Sequence, residues 1–311
     1  MPVLTLLDLA KINGTATDIG LIEENLTAAP EAQIIPARTI KGTSFRSLVR
    51  STFPTVGFRN ANEGRTPQKS VYANRIHETY YLDSQMEIDN AIVNASEQGP
   101  DYVMTAEASG HMKGTLLALG SQMWYGRAND PKGFPGGIDF ADAAHTIDAT
   151  GSTANAASSC YLAVVDPRFF NFIYGNNMTL SVAEWRKQTV TNGTTKQTVW
   201  NNSIEGWVGI EFLNIHALVV IKNLTIQTGK GLTDLLLAQA MAKFPVGIRP
   251  THIFCNRVQR QLLQASRTVS IFGQGAGLPG AGQGIIAPTP SSYEGVPIIA
   301  TDSLLQTEAI R

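Results

Sequence analysis

FRSLVRSTFPTVGF (residues 45–58), NANEGRTPQKS (60–70) and VYANRIHETYYLDSQMEID (71–89) together read as two long strands around a polar tip. The first segment is rich in Val, Phe and Thr, and Pro54 marks an edge or a bend. The second is turn chemistry. The third alternates, with Val71, Ala73 and Arg75 against Tyr72, Asn74 and Ile76. Both strands carry charges among their apolar residues. A ribbon of this kind has no core of its own, and an isolated hairpin is marginal in water, so another surface must cover it.

Working outward, residues 1–44 mix short apolar patches with Gly14, Gly20, Pro30, Pro36 and Gly42. They read as an arm ordered by its neighbours, with one short helix near residues 5–11. On the other side, Gly99-Pro100 opens a helix, with Pro at its first position. Met112, Leu116, Leu119 and Met123 form one apolar stripe along it, and Gly126 and Pro131 end it. Gly110, Gly114 and Gly120 weaken this helix and admit a close neighbouring backbone. A loop around FPGG (134–137) and a small-residue stretch follow. Strands are expected at 161–165 and across 200–226, where HALVVIKNLTI is the clearest, and Asn192-Gly193 signals a hairpin before them. Residues 231–244 read as a helix stopped by Pro245. THIFCN (251–256) reads as a buried strand. Asn256 is placed to cap a helix with Val258, Leu262 and Ala265 on one face. Residues 273–284 are glycine-rich, and YEGVPIIATDSLL closes with a turn and a short apolar strand.

Composition narrows the function. The chain has 311 residues, with 24 basic and 25 acidic side chains for a net charge of −1, which excludes a polybasic nucleic-acid binder. Hydrophobic residues at 43% suffice for a core, and the length favours two packed units. Charged residues are only 16%, and Thr, Asn and Gln outnumber them. Such a surface is polar but weakly charged, or is covered by other chains. No apolar run reaches the 18 or so residues that a membrane helix needs. The start of the chain lacks the basic region of a secretory signal. Two cysteines, Cys160 and Cys255, make no disulfide framework, in keeping with synthesis in a reducing cytoplasm.

Catalytic patterns fail one by one. Gly275-x-Gly277-x-x-Gly280 matches the dinucleotide fingerprint in letters, but Pro279, Pro288 and Pro290 prevent the helix that the fingerprint needs. His77, His111, His145, His216 and His252 are scattered without metal-ligand spacing, and neither cysteine sits in C-x-x-C. There is no G-x-S-x-G elbow and no P-loop lysine. The cysteines lie in apolar strands and read as buried thiols. Glu87/Asp89 and Asp139/Asp142 are read as surface carboxylates. No catalytic, cofactor or metal site is assigned. The residues singled out are Arg59, Glu63, Arg65 and Lys69 at the ribbon tip, as candidates for contact between subunits.

Arm, polar hairpin, long helix, β platform and α/β unit form a set. Together they resemble a tailed-bacteriophage major capsid protein of the Hong Kong 97 type. The resemblance is carried by LVRSTFPTVGFRNANEGRTPQKS, like the family's extended E-loop; by QMWYGRANDPKGFPGG, like the end of its spine helix and the loop after it; and by THIFCNRVQRQLLQAS with YEGVPIIATD, like its A-domain strand–helix and closing strand. It implies an α+β fold: arm 1–44, E-loop 45–92, P-domain 93–230 with spine helix 100–126 and platform strands, A-domain 231–301 and tail 302–311. The platform strands precede the A-domain here, which looks like the permuted order of a short-tailed-phage subgroup. The resemblance further implies pentamers and hexamers in an icosahedral shell around double-stranded DNA that is contacted non-specifically. It implies a portal and assembly in the host bacterial cytoplasm, and leaves open whether a cement protein binds. Scaffolding is expected from a separate protein, since the arm is too short to fold alone. A nanocompartment shell protein of the same fold and a cytosolic α/β enzyme are the competing readings.

Overall fold

The computed structural model describes residues 4–13, 27, 29–267, 269–270, 284–285 and 287–311. In chain order its elements are α1 (Leu6–Asn13), α2 (Glu31–Ile34), β1 (Ala37–Thr39), β2 (Ser44–Thr52), β3 (Val71–Glu78), β4 (Tyr80–Asp89), α3 (Asn90–Asn94) and α4 (Pro100–Tyr125). Next come α5 (Gly137–Phe140), β5 (Thr146–Asp148), β6 (Ser158–Ala163), β7 (Phe170–Tyr174), β8 (Ser181–Val182), β9 (Arg186–Asn192), β10 (Thr195–Phe212) and β11 (Leu218–Leu224). The rest are α6 (Asp234–Met241), β12 (His252–Cys255), α7 (Arg257–Arg267), β13 (Val269–Ser270), β14 (Gly284–Ile285), β15 (Ser292–Tyr293) and β16 (Val296–Ala300). The glycine fingerprint at 275–280 lies outside the described residues.

Two sheets organise the molecule. In the first, β10 is the spine: it pairs with β4, β7, β8 and β9, and β1 joins the outer edge of β7 in parallel. The Asn192-Gly193 hairpin forms as read, with Thr195 opposite Asn192 and Gly193 at φ 64°. The second sheet runs β15-β16-β12-β6-β11-β5. Its central strand β6 is buried at every position. A boundary at residue 230 therefore passes through one sheet, because β12 from beyond it pairs with β6, and β6 with β11.

The helix over 100–125 has the predicted ends, with Pro100 at its first position. Its buried surface differs from the predicted stripe. Met112 and Leu116 are only half-buried, whereas its last two turns are buried nearly all round. There Trp124 stacks on Tyr161 (ring centroids 4.6 Å) and meets Phe254 (5.0 Å), which ties α4 to the second sheet. Phe170, Phe172, Ile210 and Phe212 of the first sheet close the same core. On the other face of the second sheet, α6 and α7 cover Cys160, Leu162, Ile253 and Cys255.

Further expectations are corrected. The strand read over 71–89 is divided at Thr79: β3 pairs with β2, while β4 leaves for β10. The free ribbon is therefore shorter than residues 45–92. Gly110 and Gly114 face open space, and Gly120 meets side chains, Glu31 and Ser303, in place of a backbone. On α7 the buried residues are Gln259 and Leu263, not Val258, Leu262 and Ala265. The Gln259 amide oxygen accepts from Leu232 N (3.1 Å) and its nitrogen donates to Gln306 Oε1 (2.9 Å). Asn256 caps this helix as expected, accepting from Val258 N at 2.8 Å.

Candidate intersubunit interface

The β2–β3 ribbon forms a two-stranded sheet of its own. Its registry runs from Ser44 opposite Glu78 to Thr52 opposite Val71. Beyond Thr52 the tip folds back without regular structure, and among residues 53–70 only Pro54 and Ser70 escape full exposure. Phe53, Val56 and Phe58 are 75%, 87% and 109% exposed, and Leu48, Tyr72 and Ile76 more than half so. Burying a Val or Phe side chain is worth about 1.5–3 kcal/mol. The tip thus leaves several kcal/mol of apolar burial unused within its own chain.

Three of the four predicted tip residues have local partners. Arg59 Nη1 donates to the Glu63 carbonyl (2.6 Å), and the Glu63 carboxylate accepts from Asn60 N (3.0 Å) and Asn60 Nδ2 (3.1 Å). These bonds from Asn60, the backbone one first, hold Glu63 below the usual carboxylate range. The Arg65 guanidinium lies against Gly57, where any Cβ would touch it. Lys69 stands apart, beside Val71 and Tyr72 in a shallow depression. The structure thus joins Arg59 with Glu63, and Arg65 with Gly57, but brings no carboxylate to Lys69 among the described contacts.

The base of the ribbon holds a network that sequence reading missed. Arg38 of β1 donates two bonds of 2.6 Å to the buried Glu211 of β10, and Asn171 Nδ2 donates a third at 2.7 Å. Arg38 also lies 4.6 Å over the Phe45 ring, which stacks on His77 at 4.9 Å. His77 Nε2 is 2.9 Å from Ser47 Oγ. Burial pushes the His77 pKa down, with Glu211 opposing more weakly. Arg75 Nη1 donates to the Phe212 carbonyl (3.0 Å) and its guanidinium lies 5.3 Å from the Phe140 ring centre. A cleft of about 370 Å³ opens between ribbon and first sheet, lined by Arg75, His77, Tyr80, Arg127, Phe140 and Phe212 among others. Arginines interspersed in an apolar strand were the available signal, but their partners lie up to 173 positions away.

Elsewhere, two of the scattered histidines meet. His145 Nδ1 is 2.6 Å from Asp142 Oδ1, and its Nε2 is 2.8 Å from His216 Nδ1. Burial, then the neighbouring His145, lowers the His216 pKa. Asp139 accepts from Gly136 N (3.0 Å) and Asp89 from Ala91 N (2.7 Å), so these carboxylates fix local backbone. Cys160 and Cys255 are buried, and desolvation raises both thiols, Cys255 to about 12. Among the described residues no three His, Cys, Asp or Glu side chains gather to hold a metal, and no helix is long and apolar enough to cross a membrane.

Comparison with known proteins identifies the architecture. A structure of bacteriophage Epsilon15 is similar over 99% of this chain and 97% of its own, with TM-score 0.73 and 15% identity. The bacteriophage JBD30 capsid is similar over 97% and 99%, with TM-score 0.52 and 12% identity. At these identities the likeness is one of fold, and that fold is the Hong Kong 97 type. No curated protein matches the sequence. The family model described as Major capsid protein GP7 matches residues 25–311, and the chain belongs to that family.

Proposed function

We propose that the ribbon is the part of each subunit that lies over a neighbour in a closed icosahedral shell around a tailed phage's double-stranded DNA. The observation that carries this is the tip itself: residues 53–70 bury almost nothing against their own chain while presenting Phe53, Val56 and Phe58 to solvent. Arg59, Glu63, Arg65 and Lys69 are its polar contacts. A shell built of heterologous contacts can supply the cover that a monomer lacks. In this reading residues 1–44 are the arm, 45–92 the E-loop, 93–230 the P-domain, 231–301 the A-domain and 302–311 the tail. The subunit acts as a structural protein without catalysis or cofactor. It assembles in the host cytoplasm with a separate scaffolding protein and a portal. The near-neutral chain contacts the packaged DNA non-specifically.

Deletion of residues 58–72 tests the reading. It removes residues 58–70 of the tip, with Phe58 and all four polar contact residues, and only the first two residues of β3, opposite Thr52 and Arg50, and it leaves Phe53 and Val56 in place. The expected product is a folded subunit with native circular dichroism that forms no shells by negative-stain microscopy. Normal particles from the deletion variant refute the assignment of the ribbon. A large drop in thermal stability refutes the view that the tip is uncovered within its own chain.

A further inference from the structure

Glu31 is the first residue of α2 and is 0% exposed. Neither carboxyl oxygen has a well-formed hydrogen bond, and the same holds for the neighbouring Trp124 Nε1 and Ser303 Oγ. The seat exists because position 120 is glycine: a Cβ there would collide with Glu31 Oε1 and Ser303 Oγ. Trp124 faces the carboxyl from α4, and Thr301 and Ser303 face it from the segment after β16. The charged and titratable groups nearby are engaged elsewhere. Asp302 lies 3.6 Å from Arg257, and the Tyr125 hydroxyl donates to Glu308 Oε1 at 2.8 Å. No described ion pair includes Glu31.

An ionised carboxylate in such a place, without cation or full hydrogen bonding, costs more than taking up a proton. Burial pushes the Glu31 pKa up, and Ser303, Thr301 and Trp124 offset this only in part. The Trp124 N–H and the Ser303 and Thr301 hydroxyls are donors to the carboxyl, and a neutral acid can in turn donate its O–H to a hydroxyl oxygen. We propose that Glu31 is a proton-controlled latch, which as a neutral acid seats α2 on α4 and on the 301–304 segment, and on ionisation unseats it. The consequence reaches the ribbon. α2 leads through Ile35 and Pro36 into β1, whose Arg38 grips Glu211 at the ribbon base. Loss of the seat frees the residues that hold β1 against β7.

The sign follows from linkage. A carboxyl whose pKa is raised in the seated state favours that state at low pH, and the advantage is lost as pH rises through the seated pKa. Two measurements on the full chain test this. Infrared spectra followed upward from about pH 4 should show a protonated-carboxyl band that outlasts ionisation of the exposed carboxyls, that Glu31→Gln removes and that Glu308→Gln leaves in place. Absence of any such band, or its survival in Glu31→Gln, overturns the latch. Hydrogen exchange of the Gln33, Ile34 and Ile35 amides, corrected for intrinsic rates, gives the second measurement. These amides bond back to Pro30 and Glu31 carbonyls at 3.0–3.2 Å. Between the pKa of the unseated carboxyl and the raised seated pKa their protection should fall by up to about tenfold per pH unit, as for one proton released per opening, and it should level off above the seated pKa. The Phe254 amide in β12 should hold. Glu31→Gln, an uncharged isostere, should be flat with pH. A Glu31→Gln profile that falls like wild type overturns the proposal. If that variant fails to fold, the wild-type profiles decide: parallel loss at residues 33–35 and at Phe254 overturns it, and selective loss at 33–35 supports it.

Discussion

Replacing Arg38 by Ala strips the buried Glu211 of its cation, and the cost of doing so can be worked out. Glu211 is 0% exposed, while the Arg38 side chain is 44% exposed. Removing one partner of a buried pair typically costs about 3–5 kcal/mol, because the remaining charge is left uncompensated. Here Asn171 still donates to Glu211 at 2.7 Å, which favours the lower end. A ceiling also applies, since an unpaired carboxylate can protonate. For an ordinary glutamate with reference pKa about 4.3, that costs about 3.7 kcal/mol at pH 7 and about 1 kcal/mol at pH 5. Arg38→Ala should therefore destabilise the subunit by about 3 kcal/mol at pH 7 but by only about 1 kcal/mol at pH 5. Glu211→Gln leaves Arg38 able to hydrate and should cost about 1 kcal/mol. The double variant Arg38→Ala/Glu211→Gln should then be more stable at pH 7 than Arg38→Ala alone. Urea unfolding of unassembled subunits, followed by tryptophan fluorescence and referred to wild type at each pH, measures all four. An Arg38→Ala cost that is equal at both pH values, or a double variant weaker than the single, refutes the electrostatic reasoning and leaves only lost packing against Phe45.

Boiled, reduced particles should run on a denaturing gel as a single monomer band, because Lys69 has no buried carboxylate beside it to take its proton and Glu63 is solvated and bonded to Asn60; a ladder of multimers contradicts this. His77 binds its proton less readily when folded than when unfolded, so its contribution to stability is present above about pH 6.5 and is lost as pH falls from there towards the lowered folded pKa. His77→Asn should flatten the melting temperature between pH 7.5 and 5.5 in part, the remainder coming from His216 and His252, which burial also lowers. Asn223 sits at φ 58°, and its side chain donates to the Arg311 carbonyl (2.8 Å) and accepts from Arg311 N (2.9 Å). Asn223→Ala should cost about 2–3 kcal/mol in thermal unfolding, from backbone strain and lost hydrogen bonds, and a change within about 0.5 kcal/mol contradicts the role assigned to it.

Features written in local chemistry were legible. Gly99-Pro100 and Gly126 delimit α4, Asn192-Gly193 turns β9 into β10, and Asn256 caps α7, each within a few residues. What escaped depends on distant partners. Nothing near Thr79 breaks the chain; β4 departs because β10 offers it ten paired positions. Gln259 is polar yet buried, since Leu232 and Gln306 satisfy its amide, so a reading by apolar spacing takes the wrong face of α7. The tip residues Arg59, Glu63, Arg65 and Lys69 could be picked out because turn chemistry and exposure are local properties. Arg38–Glu211 and His145–His216 could not, being pairs 173 and 71 positions apart.

The segment after β16 has a consequence for synthesis. Leu304 is buried against α4, the Glu308 carboxylate takes the Tyr125 and Ser159 hydroxyls, and Arg311 is clasped by Asn223. All of these contacts are made to residues translated earlier. A nascent chain must therefore hold Trp124, Tyr125 and β6 unsealed until residues 301–311 emerge from the ribosome. Premature termination before that point leaves the apolar joint between the two sheets open to chaperones and proteases, a form of quality control acting before a subunit meets another copy.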